Sequence, residues 1–345
     1  MSFTIGTANR GILIRQQTSF GTVGSSPVHF GAIDDESLQT TFDVNTRGDM
    51  TRYGASKTKT GKRYSEGGIN MALDDSQFTA MILKGIFPSV STSGSGDPYT
   101  HAMTEIDHDN GKSGAIGFPV YQLQVIRDEK QHSYTSMSVN RVSISGSVGE
   151  YVMMSADFVG KCEGEDSVSS PAAIDTESNM GILATEPVHF QSATVAFKNS
   201  SVSLQVKSVD IEFNLNRDID AAYALGGDSF VREAPPQLRE ITGSVEFIKP
   251  IHSTSLNEPI FGDIIDGGSN SIYQPGSSNP AITLTFTSTA DHDITIKVYH
   301  VQWDAPSMNV SGRDTQTMSL GFTALFDETK KAMATCDVRN AASSL

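Results

Sequence analysis

Within five positions the chain sets Glu105, Asp107, His108 and Asp109 ahead of Gly111, the residue types with which a tight turn surrounds a hard cation by several oxygens. A calcium loop counted from Asp107 needs a glutamate at its twelfth position, and Phe118 stands there, so the cluster reads as the polarity of an exposed loop. Gly111-Lys112-Ser113 matches the end of a phosphate-binding loop, but Ile106 occupies the place of the earlier glycine. There is no G-x-S-x-G elbow and no H-E-x-x-H pair, and the eight histidines are scattered; His292 and His300 read as surface or hydrogen-bonded side chains. The doubled carboxylates Asp34-Asp35 and Asp74-Asp75 fall beside turns or a helix start, where acidic residues serve the backbone. Cys162 and Cys336, one in each half, are expected to be free thiols. These patterns supply no catalytic constellation, no metal site and no cofactor site, and the expectation is a protein that is not an enzyme.

Charge is distributed more tellingly. Arg47, Arg52, Lys57, Lys59, Lys62 and Arg63 stand beside one acidic residue, Asp49, a local charge of +5 in a chain whose formal net charge is -15. The remainder, at -20, repels a phosphate backbone, which argues against tight nucleic-acid binding. The basic segment suits docking on an acidic surface; the plainer reading is a solvated hairpin tip. Arg47-Gly48-Asp49 spells a cell-adhesion tripeptide, but its echo as Arg217-Asp218 without the glycine favours a turn. The longest apolar stretch, Met81 to Phe87, is broken by Lys84 and Gly85, so neither a signal peptide nor a membrane span is expected, and the chain reads as made and used in a cytoplasm.

The elements around these residues are strands. Ser, Thr and Gly are abundant beside Val, Ile and Phe, the composition of a mainly β protein with frequent turns. Apolar residues alternate at Leu38, Thr40, Phe42 and Val44, at Val139 to Ile144, and at Val152, Met154, Ala156 and Phe158, which predicts half-buried antiparallel strands. Phe78, Met81 and Ile82 recur at helical spacing behind Asp75 and predict one short helix over 76–87. Residues 91–117, rich in Gly, Ser and Asp without a sustained period, read as a long exposed excursion.

The second half repeats this plan. Val209, Ile211, Phe213 and Leu215 alternate, then Ile241, Gly243, Val245 and Phe247; Asn257 to Gly267 takes the helix position. The apolar phase slips by one at Lys207-Ser208, which predicts a β-bulge. The phrase Phe42-Asp43-Val44-Asn45-Thr46-Arg47-Gly48-Asp49 returns as Phe213-Asn214-Leu215-Asn216-Arg217-Asp218, so Phe42, Asn45, Asp49, Phe213, Asn216, Arg217 and Asp218 mark a tandem duplication. The expected domains are 1–162 and 189–345, with a linker over 163–188 where acidic residues mix with Ser, Ala and two prolines.

This order resembles the major tail tube proteins of long-tailed (siphovirus-like) bacteriophages. The resemblance is carried by Val209 to Asn216 with Arg217-Asp218, by Arg239-Glu240-Ile241-Thr242-Gly243-Ser244-Val245, and by Met318 to Asp327, with the first half matching through its own copy. It implies two tandem β-sandwich or partial-barrel domains, each with a short flanking helix, joining neighbours edge to edge in a ring with an inner β-barrel. Rings would stack into a hollow tube around a tape-measure protein, between a tail terminator and distal tail proteins, and DNA would pass without specific binding or any membrane. Two domains per chain imply three chains per six-domain ring, and the segment 47–63 is implied to reach the adjacent ring. The alternatives are another tail ring component (terminator, baseplate or contractile injection tube) and a β-sandwich carbohydrate-binding module or hydrolase. Against the last stand a single tryptophan, Trp303, and the lack of a matched acid and base.

Overall fold

A computed structural model describes residues 12–22, 26–48, 53–106, 117–127, 130–164, 186–197, 206–227, 229–248, 272–273, 280–289, 291–304, 307–309 and 317–345. The expected helix at 257–267, most of the expected linker, Asp49, Arg52 and the group Asp107 to Asp109 lie outside them.

The first half contributes β1 (Ile12–Gln17), β2 (His29–Gly31), β3 (Asp35–Glu36), β4 (Gln39–Gly48), β5 (Ala55–Ala72), α1 (Gln77–Ile86), β6 (Ser89–Ser93), β7 (Tyr99–Thr104), β8 (Val120–Arg127), β9 (Lys130–Ser147), β10 (Met153–Gly160) and β11 (Cys162–Gly164). The second contributes β12 (Ala193–Phe197), β13 (Val206–Asn214), β14 (Glu240–Ile248), β15 (Ile272–Tyr273), β16 (Ile282–Thr289), β17 (His292–Val298), β18 (His300–Trp303), β19 (Ser307–Asn309), β20 (Thr317–Leu325) and β21 (Ala334–Asn340). The protein is mainly β, its sheets antiparallel and open, with one α-helix among the described residues. That helix is neither long nor apolar enough to cross a membrane.

One order of pairing occurs twice. In the first half β4, β5, β10 and β9 follow one another across a sheet; in the second β13, β14, β20 and β18 do the same. A second layer runs β1, β8, β9, β11 in the first half and β12, β16, β17, β21 in the second. Strand β9 serves both layers: up to Met137 it pairs with β8 and β11, and from Ser138 with β10. The turn between these parts is made at Ser136, whose φ of 58° is rare for a residue with a side chain and is held by bonds to Gln17 and Gly21. In the second half the same two roles fall to β17 and β18, separated by Tyr299 alone.

The halves are fused through both layers. Strand β13 pairs with β9, from Ser208 against Ser147 to Asn214 against Arg141, and β21 pairs with β7. A single core therefore runs from Ile12 to Val338. Phe213 is wholly buried and meets the ring of Phe87, at the end of α1, edge-on at 5.4 Å. Eight of the ten residues of α1 are buried, as expected of a helix that is apolar nearly all round; Ser76 caps it by accepting the amide of Thr79.

The bulge at Lys207 is present: Val206 faces Phe247 and Ser208 faces Glu246, with Lys207 as the extra residue. The excursion expected over 91–117 is corrected in part. Ser89–Ser93 and Tyr99–Thr104 form a hairpin, and β7 is an interior strand between β6 and β21. Its alternation is hidden because one inward residue is polar: His101 is buried and bonded to Thr92, Asn340 and the carbonyl of Ala342.

Candidate assembly surfaces

Two surfaces of this fold are open to other molecules among the described residues: a polar sheet face and a projecting ribbon. The sheet face is set by register. Met71, Met154, Ile144, Ile211, Gly243, Phe322 and Trp303 stand opposite one another in turn across seven strands, and all but Gly243 send side chains into the core. The neighbouring row reads Asn70, Ser155, Ser143, Glu212, Thr242, Thr323 and Gln302, on the face away from the core. Both rows cross the β9·β13 junction without a break. Gly243 keeps the apolar row flat, since a Cβ there would lie 2.5 Å from the Phe322 ring and 2.6 Å from the Asp210 carbonyl.

The polar face is acidic. Asp157, Asp210, Glu212, Glu240 and Glu246 share it with Arg141, which binds Asp157 at 2.8 Å and Glu212 at 3.5 Å and so bridges the two halves. Burial pushes the Asp210 carboxyl above its ordinary range. The hydroxyl-rich, negatively charged surface offers a phosphate backbone nothing to grip.

The ribbon consists of residues 42–48 and the facing part of β5. Beyond Ser65 strand β5 joins β10, but residues 55–62 pair only with β4 among the described residues. Phe42 and Val44 are 58% and 57% exposed, so the alternation that predicted a half-buried strand here has no cover within the chain. Thr46, Thr58 and Thr60 share their face; Asn45, Arg47, Lys57 and Lys59 occupy the other.

The six basic residues do not act as one group. Lys62 binds Asp220 at 2.6 Å and lies over the Tyr223 ring, while Arg63 stacks on Phe230 and its backbone bonds to Ser229 and Val231. Both fasten the base of the ribbon to a second-half segment, which covers Val159 with Ala222, Val231 and Ala234. Nothing in the sequence pattern pairs residues so far apart.

The echoed phrases also diverge. Phe42 lies on the open ribbon and Phe213 in the core; Asn45 pairs in mid-strand with Lys59, whereas Asn216 takes a φ of 46° just after β13. Arg217 is buried, donates to the carbonyls of Val139 and Ala234, and stacks on Phe118. Asp218 accepts from the amide of Ala221 and from Gln237.

Other polar groups are structural. Glu105 is buried, binds Arg239 at 2.7 Å and accepts the amides of Met333 and Ala334; burial, opposed by these partners, holds its carboxyl above the ordinary range. Cys336 is a free thiol in the core, pushed far up by burial. His300 meets Asp327 at 3.3 Å. His292 lies between two carboxylates, Nδ1 at 2.6 Å from Asp75 and Nε2 at 2.8 Å from Asp97, while Ser288 donates to Asp75. The hydroxyl bonds the carboxylate and not the imidazole, so Ser288 and His292 are not paired as nucleophile and base.

With both nitrogens facing carboxylates, His292 donates twice only as an imidazolium. Burial lowers its pKa, but the bonds to Asp97 and Asp75 outweigh that and the net shift is upward. A raised folded pKa stabilises fully below the unfolded value of 6.5 and is lost as pH rises through the folded one. Thermal melts from about pH 6 to about pH 9 should show a fall in stability that His292→Asn flattens; an unchanged slope in the variant would remove His292 as its cause.

The family model described as "Phage tail tube protein" matches residues 7–324. No curated protein matches the sequence. A family match over nearly the whole chain agrees with the β-sandwich architecture: this chain belongs to the phage tail tube protein family and is a structural component of the virion tail.

Proposed function

We propose that the chain is a tandem duplication, with units at 1–162 and 189–345 joined over 163–188, and that its copies close into rings that stack as the tail tube of a long-tailed phage. The observation that carries this reading is the unbroken passage of the polar and apolar rows through the β9·β13 junction, where the last strand of one unit pairs with the first strand of the next. Repeating that junction between copies would bring the β18 end of one sheet, where the short strand β15 now pairs, to the β4 edge of another. Three copies supply six units, a trimer with pseudo-hexameric symmetry.

In such a ring the acidic face around Asp210, Glu212 and Glu246 lines the bore, and DNA slides past it without specific contacts. The tape-measure protein fills the bore before ejection, and a terminator and distal tail proteins close the ends. Assembly takes place in the host cytoplasm. The segment 47–63 reaches the adjacent ring through Lys57 and Lys59, whereas Lys62 and Arg63 are engaged within their own chain.

Electron micrographs of the purified protein are expected to show long tubes of stacked rings, and native mass spectrometry to give three chains per ring. A monomer at all concentrations would overturn self-assembly; six chains per ring would overturn the duplication.

A further inference from the structure

The two carboxylates that flank His292 differ in their surroundings, and the difference gives deprotonation a direction. Asp75, just before α1 in the first half, has a side chain only 5% exposed. It accepts from Ser288 on β16, and its backbone carbonyl accepts the side-chain amide of Asn340 on β21. Asp97 stands at the open tip of the β6·β7 hairpin, with its side chain 59% exposed. His292 begins β17, so one imidazole of the second half joins two separate elements of the first. The charged groups around it are engaged elsewhere or face water. Asp74 accepts from Ser76 and Thr79, Asp293 binds Arg339 at 3.0 Å and accepts from Thr295, and Asp291 is exposed.

A neutral imidazole has one N–H to give. If Asp75 lost it, a buried carboxylate would face a ring lone pair with Ser288 as its remaining side-chain donor, which is costly. If Asp97 loses it, water takes the place of the ring, at little cost. The proton that departs is therefore the one on Nε2. We propose that His292 is a proton-operated latch between the halves: as an imidazolium it holds the tip of the β6·β7 hairpin through Asp97, and when neutral it keeps Asp75 through Nδ1–H and releases the tip. The ladders of β7 with β6 and β21 hold the base of the hairpin, which confines the movement to residues 94–98. The latch is closed below the ordinary imidazole value of 6.5 and opens as pH rises through the raised value of the folded chain.

Imidazole nitrogen chemical shifts of isotope-labelled protein, with the His292 signals assigned from His292→Asn, read which nitrogen keeps its proton. Unassembled chains are measured in solution and tubes in the solid state. Between about pH 6 and about pH 9 the Nε2 signal is expected to move to that of a bare ring nitrogen while Nδ1 stays protonated. A neutral ring with its proton on Nε2 would overturn the proposal. Urea denaturation gives a second readout that a purely structural contact would not produce. Asp97→Asn is expected to raise the unfolding equilibrium constant by roughly fivefold near pH 6 and by less than about twofold near pH 9, whereas Asp75→Asn raises it at both. Circular dichroism checks that each variant is folded. Equal effects of Asp97→Asn at the two pH values would mean that no latch opens between them.

Discussion

Phe213→Ala is expected to lower the unfolding free energy of the unassembled chain by about 3–5 kcal/mol, while Phe42→Ala, at the corresponding place in the echoed phrase, should change it by less than about 0.5 kcal/mol. Phe213 is completely enclosed, and its ring lies against Phe87 across the boundary between the halves, so truncation removes apolar burial and leaves a cavity between two rigid layers. Phe42 stands open on the ribbon. Against a total of about 5–15 kcal/mol for an ordinary domain, the first change brings the chain close to unfolding. Urea denaturation followed by circular dichroism and by the fluorescence of Trp303, which packs on Phe197 and Phe322, measures both. Equal losses at the two positions would contradict the burial on which the prediction rests.

Glu105→Ala is expected to cost a similar amount, about 3–5 kcal/mol, by a different route. Glu105 directly follows β7 and Arg239 directly precedes β14, so their 2.7 Å contact ties one sheet to the other. Removing the carboxylate leaves a buried guanidinium and frees the amides of Met333 and Ala334 from their acceptor. Replacing both partners, as Glu105→Leu with Arg239→Met, removes the stranded charge and should recover much of the loss. A double-mutant cycle in urea reads the coupling; additive losses would mean that the two side chains do not act as a pair.

Sequence pattern carried some of this architecture and missed the rest for identifiable reasons. The bulge at Lys207 was legible because one extra residue flips the apolar phase of β13, and α1 was legible because Phe78, Met81 and Ile82 fall at helical spacing behind Asp75, although the residue that caps the helix is its neighbour Ser76. Strand β7 was not, because a buried histidine broke its alternation and its partner, β21, is more than two hundred residues away in the chain. Phe42 and Phe213 show the limit of local phrases: similar neighbours in sequence, opposite burial, decided by which strands lie alongside. The basic segment was visible as charge, but its separation into a clamp at Lys62 and Arg63 and a face at Arg47, Lys57 and Lys59 depends on Asp220 and Phe230, which no spacing rule connects to it. The acidic face was not read from the sequence: Asp210 and Glu212 alternate with the apolar residues of β13, but the continuity of the face across both halves is a matter of register alone.

The position of β21 bears on how the protein is made. It follows every other strand in the chain, yet it sits in the interior of its sheet, between β17 and β7. A ribosome therefore delivers β7 long before the strand that will pair with its free side. Until β21 emerges, β7 and β17 each present a bare edge to other nascent chains crowded along the same message. The order of synthesis and the order of sheet closure are opposed, and topologies of such distant contacts fold slowly. A sheet that closes only on β21 withholds its finished edges until that strand has been made.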